Sequence, residues 1–323
     1  MASDRAHGRG AMSAPLVSVL LTSYNRERYI AVSIESVLAQ TFGDFELLIT
    51  DNCSTDGTVD IARSYEPLDR RVRVVVNETN LGQFGNRNRA ARLARGTLLK
   101  YHDSDDMMYA HCLAAMVPPM LAHPQAAFGL STGKDWPGGP CPMVLTPRMS
   151  YQREFLGSGL FNASPSGAMF RADALHALGG FEDFGSPSDF LFWLRACARV
   201  TVLLLPADLF WYRVHPAQEL QSESAARQYA GIIRHVWAAL ADPSCPLTAE
   251  EREQARRNIM GKQVRLICRD LRAQQFAIAR DRLAAGPGIT GWLRYLRRPR
   301  RDPWAGTPLD AQGDFVISRA SVS

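Results

Sequence analysis

An α/β fold built on a largely parallel sheet is predicted for this 323-residue chain from three features of its sequence. Short apolar runs recur between residues 17 and 130, segments of helical periodicity separate them, and polar segments follow directly after the first four runs. Strands that alternate with helices imply crossover connections, hence parallel pairing with helices on both faces of the sheet. In such sheets ligands bind beyond the carboxyl ends of the strands.

The elements follow in order. The first run, VSVLL (17–21), precedes Ile30, Ile34, Val37 and Leu38 at helical spacing. FELLIT (45–50) precedes a short helix over Thr58–Tyr65, and VRVVV (72–76) precedes a helix over Asn86–Ala94 that stops at Gly96. TLLKY (97–101) leads through HDSDD to a helix expected over Met107–Leu121, and AAFGL (126–130) is the fifth run. Residues 131–168 are rich in Gly, Pro, Ser and Thr and read as loops and short strands able to form a substrate mouth. A strand at Ala168–Arg171, a helix near Asp189–Arg199, and strands in VTVLLLP and LFWYRV complete this part. The expected organisation is a polar, disordered lead-in over 1–14, the α/β domain over 15–218, a helical extension over 219–285, and a basic, partly irregular tail over 286–323.

Composition narrows the function classes. Apolar content of 46% and charged content of 21% are those of an ordinary globular protein. A net charge of +5 suits an anionic small molecule or a membrane surface. No zinc spacing or aromatic-basic RNA motif occurs, so nucleic acid is not an expected partner. The six cysteines lack metal or disulfide spacing and read as reduced, mostly buried thiols of a cytoplasmic protein. The lead-in has no apolar core of a signal peptide, and the apolar runs are far too short to span a bilayer.

The strand-end segments are TSYN, DNCSTDGT, NETNLG and HDSDD. The first lacks G-x-G-x-x-G, and neither G-x-x-x-x-G-K-[ST] nor G-x-S-x-G occurs in the chain. In KYHDSDDMM, Asp103, Asp105 and Asp106 crowd together, although two like charges ~4 Å apart repel by about 1 kcal/mol in water and about 4 kcal/mol near a protein surface. One carboxylate is accounted for by capping the following helix. A bound divalent cation would use the others, since hard cations prefer oxygen ligands. Both uses stand on these residues alone.

Together, VSVLLTSYNRERYI, ELLITDNCSTDGT, NLGQFGNRNRAARLARG, HDSDD and SPSDFLFWLR resemble the family 2 glycosyltransferases of the GT-A fold, in family order, over Leu16 to His215. The resemblance implies an inverting transferase that moves a sugar from a nucleotide-diphosphate sugar to a hydroxyl acceptor, with Mn²⁺ or Mg²⁺ as cofactor. It places Thr22 and Tyr24 in the nucleoside pocket. At Asp51-Asn52 the family has two acids, the second reading uracil N3–H; Asn52 keeps an acceptor but adds a donor, so UDP- or dTDP-sugars are favoured less strictly. Asp56-Gly57 reads as a turn leading into the next helix. Arg87 matches the family's Arg-Asn pair and faces the diphosphate or pairs with a surface acid.

By the same resemblance Asp103 reaches ribose or metal, Asp105 binds the metal, and Asp106 supports the loop or caps the helix. Asp189 matches the general base, with Ser188 where the family has Glu and with Glu182 and Asp183 as rivals. His215 follows an aromatic-rich strand and contacts metal or diphosphate. The implied acceptor is a saccharide or lipid-linked saccharide in polysaccharide, glycolipid or other glycoconjugate synthesis. The basic segment GWLRYLRRPRRDPW (291–304) is either a solvated tail or a peripheral contact with anionic membrane at the cytoplasmic face. A sugar-phosphate nucleotidyltransferase and a non-catalytic sugar-nucleotide-binding protein are the competing readings; TSYNRER lacks the Gly-rich, Lys-bearing loop of the former.

Overall fold

The computed structural model describes residues 14–132, 141–215, 223–288 and 291–292. The expected lead-in up to residue 13, and the basic stretch beyond residue 292, lie outside the described residues. Four parallel strands form the first half of the sheet: β1 (Val17–Ser23), β2 (Phe45–Asp51), β3 (Val72–Val76) and β4 (Leu98–Asp103). Helices α1 (Ile30–Leu38), α2 (Thr58–Ser64) and α3 (Gly82–Leu93) make the crossovers. The second half holds β6 (Phe128–Ser131), β7 (Met143–Leu145), β8 (Ala168–Arg171) and β9 (Val202–Leu205). The order is β3-β2-β1-β4-β8-β6-β9-β7, with β8 antiparallel to β4 and β6, and β7 antiparallel to β9. The sheet is thus mostly parallel and covered by helices, as predicted.

The strands read as near-continuous apolar runs because both faces are buried. In β1 the period of two sends Val17, Val19 and Leu21 into a core shared with α1, while Leu20 enters the opposite core with Leu48, Leu99 and Phe84. That second core is aromatic. Trp193 stacks on Phe170 at 5.7 Å and packs against Phe128 at 5.2 Å, which fixes α7 (Ser188–Ala196) on the sheet.

Two expected elements differ. Met107-Met108 form a short strand, β5, paired antiparallel to β10 (Phe210–Trp211); the helix, α4, begins only at Cys112 and runs to Ala122. Within residues 131–168, Thr146 caps a ten-residue helix, α5 (Pro147–Leu156), by accepting from Met149 N–H, with Pro147 at the first helical position. A short α6 (Ala172–Ala177) follows β8.

The C-terminal helices are α8 (Glu223–Gly231), α9 (Ile233–Ala241), α10 (Ala249–Arg272) and α11 (Phe276–Ala284). Ile233, Val236, Leu240 and Ala255 join the aromatic core, so these helices pack on the α/β layers. All six cysteines are free, and only Cys112 and Cys197 are buried. No described helix is long and apolar enough to cross a membrane.

Candidate active site

β1 lies between β2 and β4, so the chain order reverses there, and a crevice opens at the carboxyl ends of such neighbours. A cleft of about 730 Å³ occupies that place, lined among others by Thr22, Tyr24, Asn52, Arg87, Asp103, Asp105 and Asp189. Asp51, Asp106 and His215, also singled out in the sequence, are buried beside it and do not line it.

At the end of β1, Tyr24 is 43% exposed. Asn25 takes a left-handed φ of 51°, and its Oδ1 accepts from Thr55 N–H at 2.9 Å. Short polar side chains tolerate this conformation by bonding locally. The turn aims Arg26 across at the end of β4. Asp51 is fully buried and accepts from Ser23 Oγ (2.9 Å), Ser54 N–H (2.7 Å) and Ser54 Oγ (2.6 Å), which ties the two strand ends together. Asn52 Oδ1 accepts from Asn77 Nδ2 (3.0 Å) and Leu81 N–H (2.8 Å), while its Nδ2 donates to Asn80 Oδ1 (2.8 Å) and Gly82 O (3.3 Å). An asparagine amide has two donors and one carbonyl with two lone pairs, so all are engaged. A carboxylate cannot make the two donations, which is the physical reason for Asn here. Asp56 accepts from Thr58 N–H and Oγ1, the expected turn into α2.

The three crowded carboxylates of HDSDD differ in burial and partner. Asp103 accepts from the buried Arg87 guanidinium at 2.5 Å; burial works against its ionisation, yet Arg87 holds its pKa below the ordinary value. Asp105 Oδ2 accepts from Arg26 Nε at 3.0 Å and lies 3.0 Å from His215 Nε2. Asp106 is 1% exposed; burial, then the neighbouring Asp103, lift its pKa well above the ordinary carboxylate range. Its Oδ1 accepts from Arg213 N–H at 3.0 Å. Asp106 therefore fastens the loop to the chain after β10; the capping expected of it is not made, because α4 starts six residues later. Arg87 pairs with an acid, as one sequence alternative had it, but inside the cleft and not on the surface.

Arg213 locks the same loop from the other side. Its Nε donates to Asp105 O at 2.8 Å, and its guanidinium lies over Tyr29 and Trp211 at 5.2 and 4.7 Å. The His215 ring packs on Tyr29 at 4.8 Å. Underneath, the fully buried Lys100 Nζ donates to Tyr101 O and Ser166 O, while Ser166 Oγ accepts from Asp103 N–H at 3.0 Å.

Asp105 and His215 bring one carboxylate and one imidazole to a single point, and Asp105 Oδ1 accepts no hydrogen bond among the described residues. There, no three His, Cys, Asp or Glu side chains converge on a metal cage. Mg²⁺ and Mn²⁺ at nucleotide sites take few protein ligands and fill the remaining shell with phosphate oxygens and water. The donor set fits a cation shared with an anionic ligand.

On the other side, Ser188 closes the turn that presents Asp189. Its Oγ accepts from Phe184 N–H (2.8 Å) and donates to Gly185 O (2.7 Å). From α8, Gln228 Oε1 accepts from Ser186 N–H at 2.8 Å and Tyr229 OH donates to Ser186 O at 3.3 Å. Gly185 has φ 77°, a left-handed conformation that favours glycine, and a Cβ there would displace the Gln228 amide. Asp189 Oδ1 accepts from Phe190 N–H at 2.7 Å; among the described residues Oδ2 accepts nothing. Burial raises its pKa to about 6, against the opposing pull of that N–H and of Arg87. The rivals face elsewhere: Glu182 is exposed and pairs with Arg195, and Asp183 accepts from Gly185 N–H at 2.9 Å. Neither lines the cleft.

The sequence reading missed Arg26, Arg213, Ser166, Gln228 and Tyr229. Arg26 carried a signal, an arginine inside the strand-end motif TSYNRER. The other four owe their places to contacts across 40 or more residues, which no local pattern records.

The family model described as glycosyl transferase family 2 matches residues 18–179. A stretch of 106 residues (33% of the chain) is 40% identical to UDP-Glc:alpha-D-GlcNAc-diphosphoundecaprenol beta-1,3-glucosyltransferase WfgD of Escherichia coli, covering 41% of that protein. The first curated relatives are likewise matched over only about a third of their length (36% and 25% for the first two). The fold is similar to S. aureus TarS 1–349 in complex with UDP-GlcNAc (TM-score 0.56, 22% identity, 76% of this chain and 70% of that one). It is also similar to the mannosyltransferase PcManGT from Pyrobaculum calidifontis in complex with GDP-Man and Mn²⁺ (TM-score 0.52, 17% identity, 88% and 87%). These structural likenesses place the chain in the GT-A fold.

Proposed function

The chain belongs to glycosyl transferase family 2, and on that premise we propose that it moves a sugar from a nucleotide-diphosphate sugar to a hydroxyl acceptor with inversion. The observation that carries this reading is one cleft holding two different acidic sites. One is a strand end whose carboxylates are paired and fit a cation. The other is an isolated carboxylate, Asp189, with a raised pKa and a vacant acceptor oxygen.

In this reading Thr22 and Tyr24 flank the nucleoside, and Tyr24 offers its exposed ring to the base. Arg87 fixes Asp103 for the ribose or the cation, and Asp105 with His215 would hold Mn²⁺ or Mg²⁺, which would supply neutralisation of the charge building on the departing diphosphate. Asp189 Oδ2 takes the proton of the acceptor hydroxyl as its oxygen forms the bond to the anomeric carbon. The bond from that carbon to the diphosphate oxygen breaks on the opposite face, which inverts the configuration. A base works best with a pKa near the working pH, and burial brings Asp189 closer to it.

UDP- or dTDP-sugars are the favoured donors; the UDP-Glc in the name of WfgD and the UDP-GlcNAc bound to TarS support this choice. With the Asn52 amide already engaged, base preference rests more on Tyr24 and the pocket shape. The acceptor is a saccharide or a lipid-linked saccharide, the class named for WfgD, and a peripheral contact of the basic tail with anionic membrane belongs to the same reading. The domain limits of 15–218 and 219–285 also stand as a proposal, with Gln228 and Tyr229 making the extension part of the site. Thermal shift tests the reading, since a ligand that binds only the folded state raises the melting temperature. UDP is expected to raise it with Mn²⁺ and not in excess chelator. An equal rise in chelator contradicts the cation role, and no rise under any condition contradicts the nucleotide site.

A further inference from the structure

Resting on the proposed function, we propose that Arg26 is the counter-ion standing in for the divalent cation at Asp105, and that it couples cation binding to nucleotide binding. Its guanidinium takes the same Asp105 Oδ2 that His215 approaches, 3.0 Å from each nitrogen. The other acid of the pair, Asp103, already has its own arginine in Arg87. Each acid is thus paired with an arginine of its own.

A dication arriving alone at Asp105 meets a guanidinium in contact with its ligand, and like charges at that range repel strongly. It binds only as Arg26 gives way. Arg26 is built to do so. Its backbone is anchored by donation of its N–H to Thr58 Oγ1 at 2.7 Å, and the side chain lines the cleft, 26% exposed. Among the described residues the guanidinium is held, beyond Asp105, by its own turn alone: Nη1 donates to Tyr24 O at 3.2 Å and Asn25 O at 3.1 Å. Released from Asp105, the side chain keeps the same anchored backbone and faces the anion that the cation brings in.

A nucleotide diphosphate thus gains a free guanidinium when the cation binds, and the cation loses a repelling neighbour when the diphosphate draws Arg26 away. Each ligand favours the same swing, so each tightens the other by one common factor, as linkage requires. Such couplings run from about 5- to 150-fold. Arg87 cannot serve in this way, because it is buried and Asp103 is its fixed partner.

The test is calorimetric titration of the full chain with Mn²⁺, with and without saturating UDP, for wild type, Arg26→Gln and Arg26→Lys. Gln keeps a donor toward Asp105 and removes the charge; Lys keeps the charge. Wild type is expected to bind Mn²⁺ weakly alone and at least about tenfold more tightly with UDP. Arg26→Gln should bind Mn²⁺ alone more tightly than wild type, with the UDP effect reduced severalfold, while Arg26→Lys keeps most of the coupling. Circular dichroism confirms that the variants fold. Undiminished coupling in Arg26→Gln, or weaker binding of Mn²⁺ alone, overturns the proposal and leaves the transferase reading intact. No cation-dependent UDP binding by wild type overturns both.

Discussion

Replacing Asp189 by asparagine separates stability from chemistry in a way the structure quantifies. The Asp189 carboxyl has its pKa raised by burial from an ordinary 3.8 to about 6. An acid whose pKa is higher in the folded protein than in the unfolded chain costs nothing at pH values below both. The cost grows as pH rises from 3.8 towards about 6 and is complete above that. At about 1.36 kcal/mol for each pKa unit, the gap is on the order of 3 kcal/mol. The asparagine amide carries no charge, so Asp189→Asn should stabilise the fold at pH 8 by up to that amount and change it little at pH 4. Transfer should behave oppositely. With a pKa of about 6 in the free cleft, the carboxyl is mostly protonated at pH 5 and mostly ionised at pH 7, so wild-type kcat/KM should rise about tenfold between them. The variant should lose both that rise and ~10²–10⁴-fold of its rate, with donor affinity unchanged. Urea unfolding at the two pH values, UDP calorimetry and a UDP-release assay measure the three quantities. Loss of donor binding would make Asp189 structural, and near-normal turnover would refute its role as the base.

Asp105→Ala should abolish cation-dependent UDP binding without changing the circular dichroism spectrum; binding undiminished by the substitution refutes the cation site. Competition calorimetry across UDP, dTDP, GDP and CDP with Mn²⁺ should favour UDP or dTDP by a narrow margin, because the Asn52 amide is already engaged; a clear preference for GDP contradicts the pocket assignment. Gln228→Leu removes the acceptor that holds Ser186 N–H, and a lost hydrogen bond worth about 0.5–1.5 kcal/mol should lower kcat severalfold with donor Kd unchanged. Gln228→Glu keeps an acceptor and should keep most of the rate, so equal losses in the two variants count against this role.

Where burial on both faces dictated the pattern, the sequence was legible. The run VRVVV is β3 to the residue, and β1, β2 and β4 extend their runs by only one or two positions at the carboxyl end, where polar Thr, Ser and Asp continue the ladder towards the cleft. The helix expected over Met107–Leu121 failed at its start, because the partner strand of Met107-Met108 is Phe210–Trp211, about a hundred residues away. Helix α5 was hidden by the Gly and Pro around it, although Thr146-Pro147 carried a cap signal. The site divides along the same line. Asp103, Asp105 and Asp189 were legible as cleft residues because local motifs hold them, whereas the saturated amide of Asn52 and the raised pKa of Asp106 depend on neighbours that only the fold assembles.

A single displacement at the anomeric carbon leaves its record in the stereochemistry of the product. Proton NMR of the first-formed product from UDP-α-glucose or UDP-α-GlcNAc with Mn²⁺ reports it before mutarotation, whether a glycoside acceptor or water takes the sugar. The β product is expected; an α product, with retained configuration, would rule out a one-step mechanism whichever carboxylate serves as base.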